Sequence, residues 1–210
     1  SNITLQIWPR RESQRGKVPL PLQQYVEHFK EKTLSGHFNE IEKSILYCRE
    51  LNDVGRFFVL LRKLLGAAAV DAEDPDDRTI CVYYAGIDLP SERLALARFA
   101  EGKAKLMITT VAFGLGINIP DVRRVYHYGA PATVLEYWQE IGRCGRDGSQ
   151  GRAILIDCFV PGFQSPIPAL IRDCEEKKKC FRVALLSYLW VGNNSTPQVP
   201  SSTCCSFCML

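Results

Sequence analysis

The chain has 210 residues, 46% of them apolar and 23% charged, an ordinary globular composition with room for one good core and a small appendage. A formal charge of +3 is too small to mark a nucleic-acid binder, so any basic surface must come from local clusters, such as Arg10, Arg11, Arg15 and Lys17, or Lys177, Lys178, Lys179 and Arg182. No run approaches the roughly 18 apolar residues of a spanning helix and no signal peptide opens the chain, so no membrane association is expected.

The chain opens at Ser1 rather than Met, in what reads as a strand, as an excised piece of a longer protein would. In chain order, β-rich runs occur at Ile3–Trp8, Ser44–Cys48, Ile80–Tyr84, Leu106–Thr110, Arg124–Tyr128 and Ala153–Phe159. Between them, Leu51, Val54, Phe58, Leu61 and Leu65 recur at helical spacing, with Phe57 and Leu64 widening the stripe. Pro90, Ser91 and Glu92 open a further helix with Leu94 and Phe99 on its inner side. Thr133 is placed to cap a helix carrying Leu135, Tyr137, Trp138 and Ile141. The acidic run Asp71, Glu73, Asp74, Asp76 and Asp77, broken by Pro75, reads as an exposed loop.

Strands alternating with helices predict an α/β fold, a mainly parallel sheet with helices on both faces. In such sheets function gathers in loops beyond the carboxyl ends of strands. Near Val160 the pattern changes: Pro161, Pro166 and Pro168 mark a linker, helical segments follow to Trp190, and Val191 to Thr203 reads as irregular. Two units are therefore expected, residues 1–160 and 161–210.

Cys48, Cys81 and Cys158, of nine cysteines, lie in strand-like runs and read as small core residues. Cys174, Cys180, Cys204, Cys205 and Cys208 crowd the end of the sequence. Without an export signal, that clustering favours metal over disulfides, and the glycosylation patterns Asn2-Ile3-Thr4 and Asn194-Ser195-Thr196 read as chance.

Two segments carry chemistry. In Gln139-Glu140-Ile141-Gly142-Arg143-Cys144-Gly145-Arg146-Asp147-Gly148, two arginines three apart each follow a glycine where a helix ends. A guanidinium's planar fork suits phosphate oxygens, and such a pair can reach the γ-phosphate of a nucleotide held elsewhere. Spacing alone does not separate this from a surface helix end in which Gly148 is the cap and the arginines complement the helix dipole. In Thr109-Thr110-Val111-Ala112-Phe113-Gly114-Leu115-Gly116-Ile117-Asn118-Ile119-Pro120, a strand ends in two hydroxyls and a loop with two glycines, whose bare backbone N–H groups can hold phosphates. A dinucleotide fingerprint fails here, because its third glycine falls on Ile119.

Together these segments resemble motifs V and VI of superfamily-two helicases, and most of all the RecQ family. Between them, Val125-Tyr126-His127-Tyr128 and then Pro131, Glu136, Tyr137 and Trp138 follow the RecQ pattern. Upstream, Ser44-Ile45-Leu46-Tyr47-Cys48-Arg49 resembles motif IV, and Tyr83-Tyr84-Ala85-Gly86 with Ser91-Glu92-Arg93 resembles a further RecQ segment. The resemblance implies that residues 1–160 form the second RecA-like motor lobe of an ATP-dependent DNA helicase moving 3′ to 5′ on single-stranded or forked DNA. It assigns Arg146 as arginine finger, Arg143 as its companion, and Gln139 and Gly142 to coupling of nucleotide state with lobe closure. It places Thr110, Gly114, Gly116 and Asn118 at nucleic-acid backbone or nucleotide contacts. Asn118 stands where the family has Asp, which puts its ribose or arginine contacts in question; Tyr84 replaces a His, and Cys144 an Ala.

The same resemblance implies a helical zinc-binding segment. Lys179-Cys180-Phe181-Arg182 with Leu185, Leu186 and Tyr188 resembles its start, and Cys205-Ser206-Phe207-Cys208 its end. Ser202 occupies the third cysteine's place. Cys204 is the expected stand-in, despite being adjacent to Cys205, with Cys174 a poorer one; the ligand set is then Cys180, Cys204, Cys205 and Cys208. Four-ligand zinc of this kind is structural.

The 210 residues contain no G-x-x-x-x-G-K-[ST] loop and no acidic box, so ATP with Mg2+ would be bound mainly by a first RecA-like lobe, the expected partner. A rival reading is a non-catalytic nucleic-acid-binding or interaction module. A related RNA helicase fits the Asp147-Gly148 ending and the cysteine tail less well. The family implies residence in the nucleus in a eukaryote, or the cytoplasm otherwise.

Overall fold

The computed structural model describes residues 2–8, 18–69, 79–111, 118–156, 164–189 and 204–208. The basic cluster at 10–17, the acidic run at 71–77, Gly114, Gly116, Cys158, Pro161 and Ser202 lie outside them.

Among the described residues, six strands form one parallel sheet: β1 (Ile3–Trp8), β2 (Lys43–Cys48), β3 (Ile80–Tyr83), β4 (Leu106–Thr109), β5 (Val122–Tyr128) and β6 (Gly151–Ile156), ordered β1-β6-β5-β2-β4-β3. Side chains alternate between faces along a strand, so each strand feeds two cores. Leu46, Cys48, Leu106, Ile108, Tyr126 and Tyr128 pack against α1 (Leu20–Leu34) and α2 (Leu51–Leu65). Ile45, Tyr47, Met107 and Val125 face α3 (Leu89–Glu101). Leu5, Ala153 and Leu155 share a core with α4 (Val134–Ile141), α5 (Ile167–Glu176) and α6 (Phe181–Leu189). The expected α/β sheet with both faces covered is what forms.

Several local expectations hold. Pro90, Ser91 and Glu92 lie in the first turn of α3, as expected; the structure adds that Asp88 caps it, accepting from the Ser91 backbone N–H, and that Gly102 ends it in the left-handed region at φ 78°. Thr133 and Glu136 form a reciprocal capping box on α4. Cys48 and Cys81 are buried, as expected.

Others are corrected. On α2 the buried stripe is Val54, Phe57, Leu61 and Leu65, while Leu51 and Leu64 face solvent. Leu94 and Leu135 are exposed, because Ala95 and Phe99, and Tyr137 and Ile141, are the residues that meet the sheet. Helix α1 has no counterpart in the sequence reading. Its apolar residues Leu22, Tyr25, Val26 and Phe29 are buried, but two prolines at its start obscure the helical pattern.

Helices α5 and α6 share the core of β1, β6 and α4. The cysteine-bearing end docks on the edge strand itself. Leu5 N–H donates to the Cys204 carbonyl at 3.0 Å and Ser206 N–H to the Leu5 carbonyl at 2.9 Å. Arg182, read from sequence as part of a basic cluster, is buried, with its guanidinium donating to the Ile3 and Cys204 carbonyls.

Candidate functional site

The connections after β2 and β5 go to opposite faces, because α2 packs on one and α4 on the other. Since β2 and β5 are neighbours, this leaves a crevice between their carboxyl ends, where open α/β sheets place ligands. Arg49, just beyond β2, spans toward α4 and bonds both carboxylate oxygens of Glu140, at 3.3 and 3.2 Å. His127 Nε2 donates to Glu140 Oε2 at 2.8 Å, and the imidazole stacks on Tyr47 with centroids 5.3 Å apart.

All four groups are buried. Burial pulls the His127 pKa down and outweighs the pull of Glu140, so the ring stays neutral with its proton on Nε2. Burial also pushes the Glu140 carboxyl up, but the His127 hydrogen bond and the Arg49 guanidinium outweigh it and hold the group below the usual carboxylate range. Glu140 is thus an ionised carboxylate with charge and hydrogen-bond partners, which its burial requires. The sequence reading assigned no role to Arg49, His127 or Glu140. The signal available was three polar residues inside otherwise apolar strand and helix patterns.

Beyond α4, residues 142–149 form a turn laid against the start of β5. Gly145 N–H donates to the Val122 carbonyl at 2.8 Å, and Arg123 pairs with Asp147. Gly145 sits at φ +62°, and a Cβ there would lie 2.5 Å from the Ser149 carbonyl oxygen, so glycine is required. Cys144, which stands where the family has Ala, is buried with Sγ toward the Arg152 carbonyl.

On this turn the two arginines differ. Arg146 is exposed; its Nε donates to the Gly142 carbonyl at 3.1 Å and Nη1 to Asn118 Oδ1 at 3.3 Å. The amide of Asn118 therefore supplies the acceptor that a carboxylate would. Arg143 is half-buried and hydrogen-bonds the Tyr47 hydroxyl, whose pKa burial drives well above the ordinary phenol value.

Gln139 is exposed on the last turn of α4, and Gly142 caps that helix. Of the two threonines ending β4, Thr109 is buried with its hydroxyl on the Thr110 carbonyl, and Thr110 is half-exposed. Arg143, Arg146, Gly142 and Asn118 are thus brought together. Gly114 and Gly116 belong to the undescribed part of the loop joining Thr110 to Asn118.

A second cluster lies beside β1. The sulfurs of Cys180, Cys204, Cys205 and Cys208 converge within 4.8 Å of one another. Cys180 lies 3.3 Å from Cys204 and 3.8 Å from Cys205, and Cys208 lies 3.4 and 3.6 Å from the same two. A tetrahedral ion with about 2.3 Å metal–sulfur bonds needs sulfurs roughly 3.8 Å apart, so the donor set fits zinc. Burial pushes the Cys204 thiol up to about 11. At Cys205 burial pushes the thiol up, but the Phe181 backbone N–H, the Cys208 thiol and the Cys208 and Phe207 N–H groups outweigh it and bring the pKa below the ordinary value. Cys174 is buried in the shared core outside this set.

Residues 26–148 match the family model described as helicase conserved C-terminal domain. Over 121 residues the chain is 37% identical to ATP-dependent DNA helicase Q4 of Homo sapiens, covering 57% of this chain and 10% of that protein. Over 129 residues it is 46% identical to a putative ATP-dependent RNA helicase, R290, of Acanthamoeba polyphaga mimivirus, covering 53% and 24%. The chain thus spans a quarter or less of these relatives. Among solved structures, Mss116p DEAD-box helicase domain 2 bound to an RNA duplex superposes with a TM-score of 0.58 at 18% identity, covering 86% of this chain and 61% of that one; the likeness is one of fold. With the motif order and the six-stranded parallel sheet, the match places the chain in the helicase conserved C-terminal domain family, where it is similar to the RecQ-type helicases.

Proposed function

We propose that this chain is the C-terminal motor half of a RecQ-type ATP-dependent DNA helicase that moves 3′ to 5′, with Arg146 as its arginine finger. The observation that carries the reading is the state of Arg146. Its guanidinium is exposed on a turn held by β5, and it is aligned by Asn118 and the end of α4. Preorganised charge of this kind stabilises a transferring phosphoryl group without reorganising during the step. ATP and Mg2+ would sit mainly on a first RecA-like lobe. Closure would bring Arg146 to the phosphates, with Arg143, Gln139 and Gly142 contributing to nucleotide sensing.

Thr110, Asn118 and the glycines Gly114 and Gly116 would contact the strand's phosphates through hydroxyls, amides and backbone N–H groups, binding without reading bases. Single-stranded or forked DNA is the proposed substrate, and the nucleus the proposed location in a eukaryote. Cys180, Cys204, Cys205 and Cys208 would hold one zinc ion, whose contribution is to tie α6 and the 204–208 segment to β1.

In the complete protein, Arg146→Ala should abolish DNA-stimulated ATP hydrolysis while leaving ATP binding nearly intact. Normal turnover by that variant refutes the assignment. Comparing DNA and RNA duplexes with either 3′ or 5′ overhangs in an unwinding assay tests substrate and polarity. Unwinding of RNA alone would favour the activity named for the mimivirus relative.

A further inference from the structure

We infer that Asn2 is a positioning residue for the arginine turn, a role that rests on the proposed function of Arg146. Asn2 immediately precedes β1, far in sequence from the turn. Its Nδ2 donates to the Gly145 carbonyl at 2.7 Å and to the Ser149 carbonyl at 2.6 Å. An amide nitrogen carries two hydrogens, and here they go to two different carbonyls of the turn. The Asn2 carbonyl in turn accepts from Gly151 N–H at 2.8 Å. One residue therefore bridges three points around Arg146.

The approach is close. A Cβ at Gly145 would lie 2.6 Å from Asn2 Nδ2, so glycine at 145 is what admits the clamp. Asn2 is itself held because β1 is fixed on both sides. It pairs with β6 along Ile3–Trp8, and on its outer edge it meets Cys204, Ser206 and the buried Arg182. A carboxylate at position 2 would face two carbonyl oxygens with no proton to offer.

Arginine fingers act by position, and a displacement of about 1 Å can cost on the order of 100-fold in rate. In the complete helicase, Asn2→Ala and Asn2→Asp should lower kcat for DNA-stimulated ATP hydrolysis by roughly 10- to 100-fold, with KM for ATP changing less than about twofold. Asn2→Ser, which keeps one donor, should fall between them and the native enzyme. Because Asn2 acts through Arg146, Asn2→Ala should cost less in an Arg146→Lys background, where the finger is weakened but some turnover remains, than in the native one. Gln150→Ala is the control: it removes an exposed bond to the Thr4 hydroxyl on the same strand, 3.0 Å long, and should leave kcat unchanged.

Native kcat in Asn2→Ala, an undiminished loss in the Arg146→Lys background, or an equal loss in Gln150→Ala would each overturn the clamp. If Asn2→Ala turns over normally while Arg146→Ala is inactive, only the clamp fails. If Arg146→Ala is itself active, the finger assignment fails first.

Discussion

His127 and Glu140 meet through a 2.8 Å hydrogen bond in a pocket that also buries Arg49, so a strand, a helix and the loop after a second strand are joined by one carboxylate. The carboxylate lies one residue before the end of α4 and two before the Gly142 cap. The network therefore holds the helix end from which the arginine turn departs.

Removing that carboxylate should be costly. Glu140→Gln leaves the Arg49 guanidinium buried without a counter-charge, a class of change that destabilises by about 3–5 kcal/mol. Urea denaturation of this chain measures the loss. A cost under about 1 kcal/mol would mean the network adds little.

Acid should weaken the fold in a defined window. Burial keeps the folded-state pKa of His127 below its ordinary value of 6.5, so the unfolded chain takes up a proton that the folded chain refuses. The unfolded state then binds more protons, and stability falls as pH drops below about 6.5. Glu140, whose folded pKa lies below the ordinary 4.5, adds stability that is present above that value and lost as pH falls through the folded one. Unfolding free energies at pH 7.5 and 5.5 should differ, and His127→Gln should narrow the difference. An unchanged gap in that variant would remove His127 as the source.

Toward Arg146, Asn118 should act through its oxygen. Asn118→Ala deletes the 3.3 Å acceptor for Arg146 and should slow ATP hydrolysis by the complete protein by about fivefold, the worth of one hydrogen bond near 1 kcal/mol. Asn118→Asp keeps the acceptor, adds charge, and should retain turnover. Equal rates for the two variants would show that the contact is incidental.

Metal content discriminates between the cysteines. One zinc per chain is expected by elemental analysis, lost in Cys204→Ser and kept in Cys174→Ala, because Cys204 lies among the four converging sulfurs and Cys174 does not. Chelation should lower the melting midpoint, since β1 loses its tie to the 204–208 segment. Retention of zinc by Cys204→Ser would return Cys174 to consideration.

The cap of α4 offers a simpler check. Thr133→Ala removes the acceptor for the Glu136 N–H, 3.0 Å away, and should cost about 1 kcal/mol by denaturation.

The fold was largely readable from periodicity, because strands buried on both faces appear as short apolar runs, α2 carries a helical apolar stripe, and α3 and α4 carry local start signals. Exposed Leu94 and Leu135 were misread, since several apolar residues can fit one helical stripe and only packing selects among them. Helix α1 escaped notice because its buried residues lie behind two prolines. That Asn118 Oδ1 lies 3.3 Å from Arg146 Nη1 could not be read from the sequence, because it joins two segments 28 residues apart.

What the sequence by itself determined was the class of sheet, the motif order and the chemistry offered by arginine, glycine and cysteine. Those depend on local propensity and on side-chain type. Only the tertiary structure decided that Arg146 is exposed while Arg143 meets Tyr47, that adjacent Cys204 and Cys205 both join one four-sulfur cluster, and that Asn2 grips a turn far along the chain. Each of these is a relation between residues distant in sequence, and it exists only once the sheet has brought its edge strand, its central strands and its flanking helices into register.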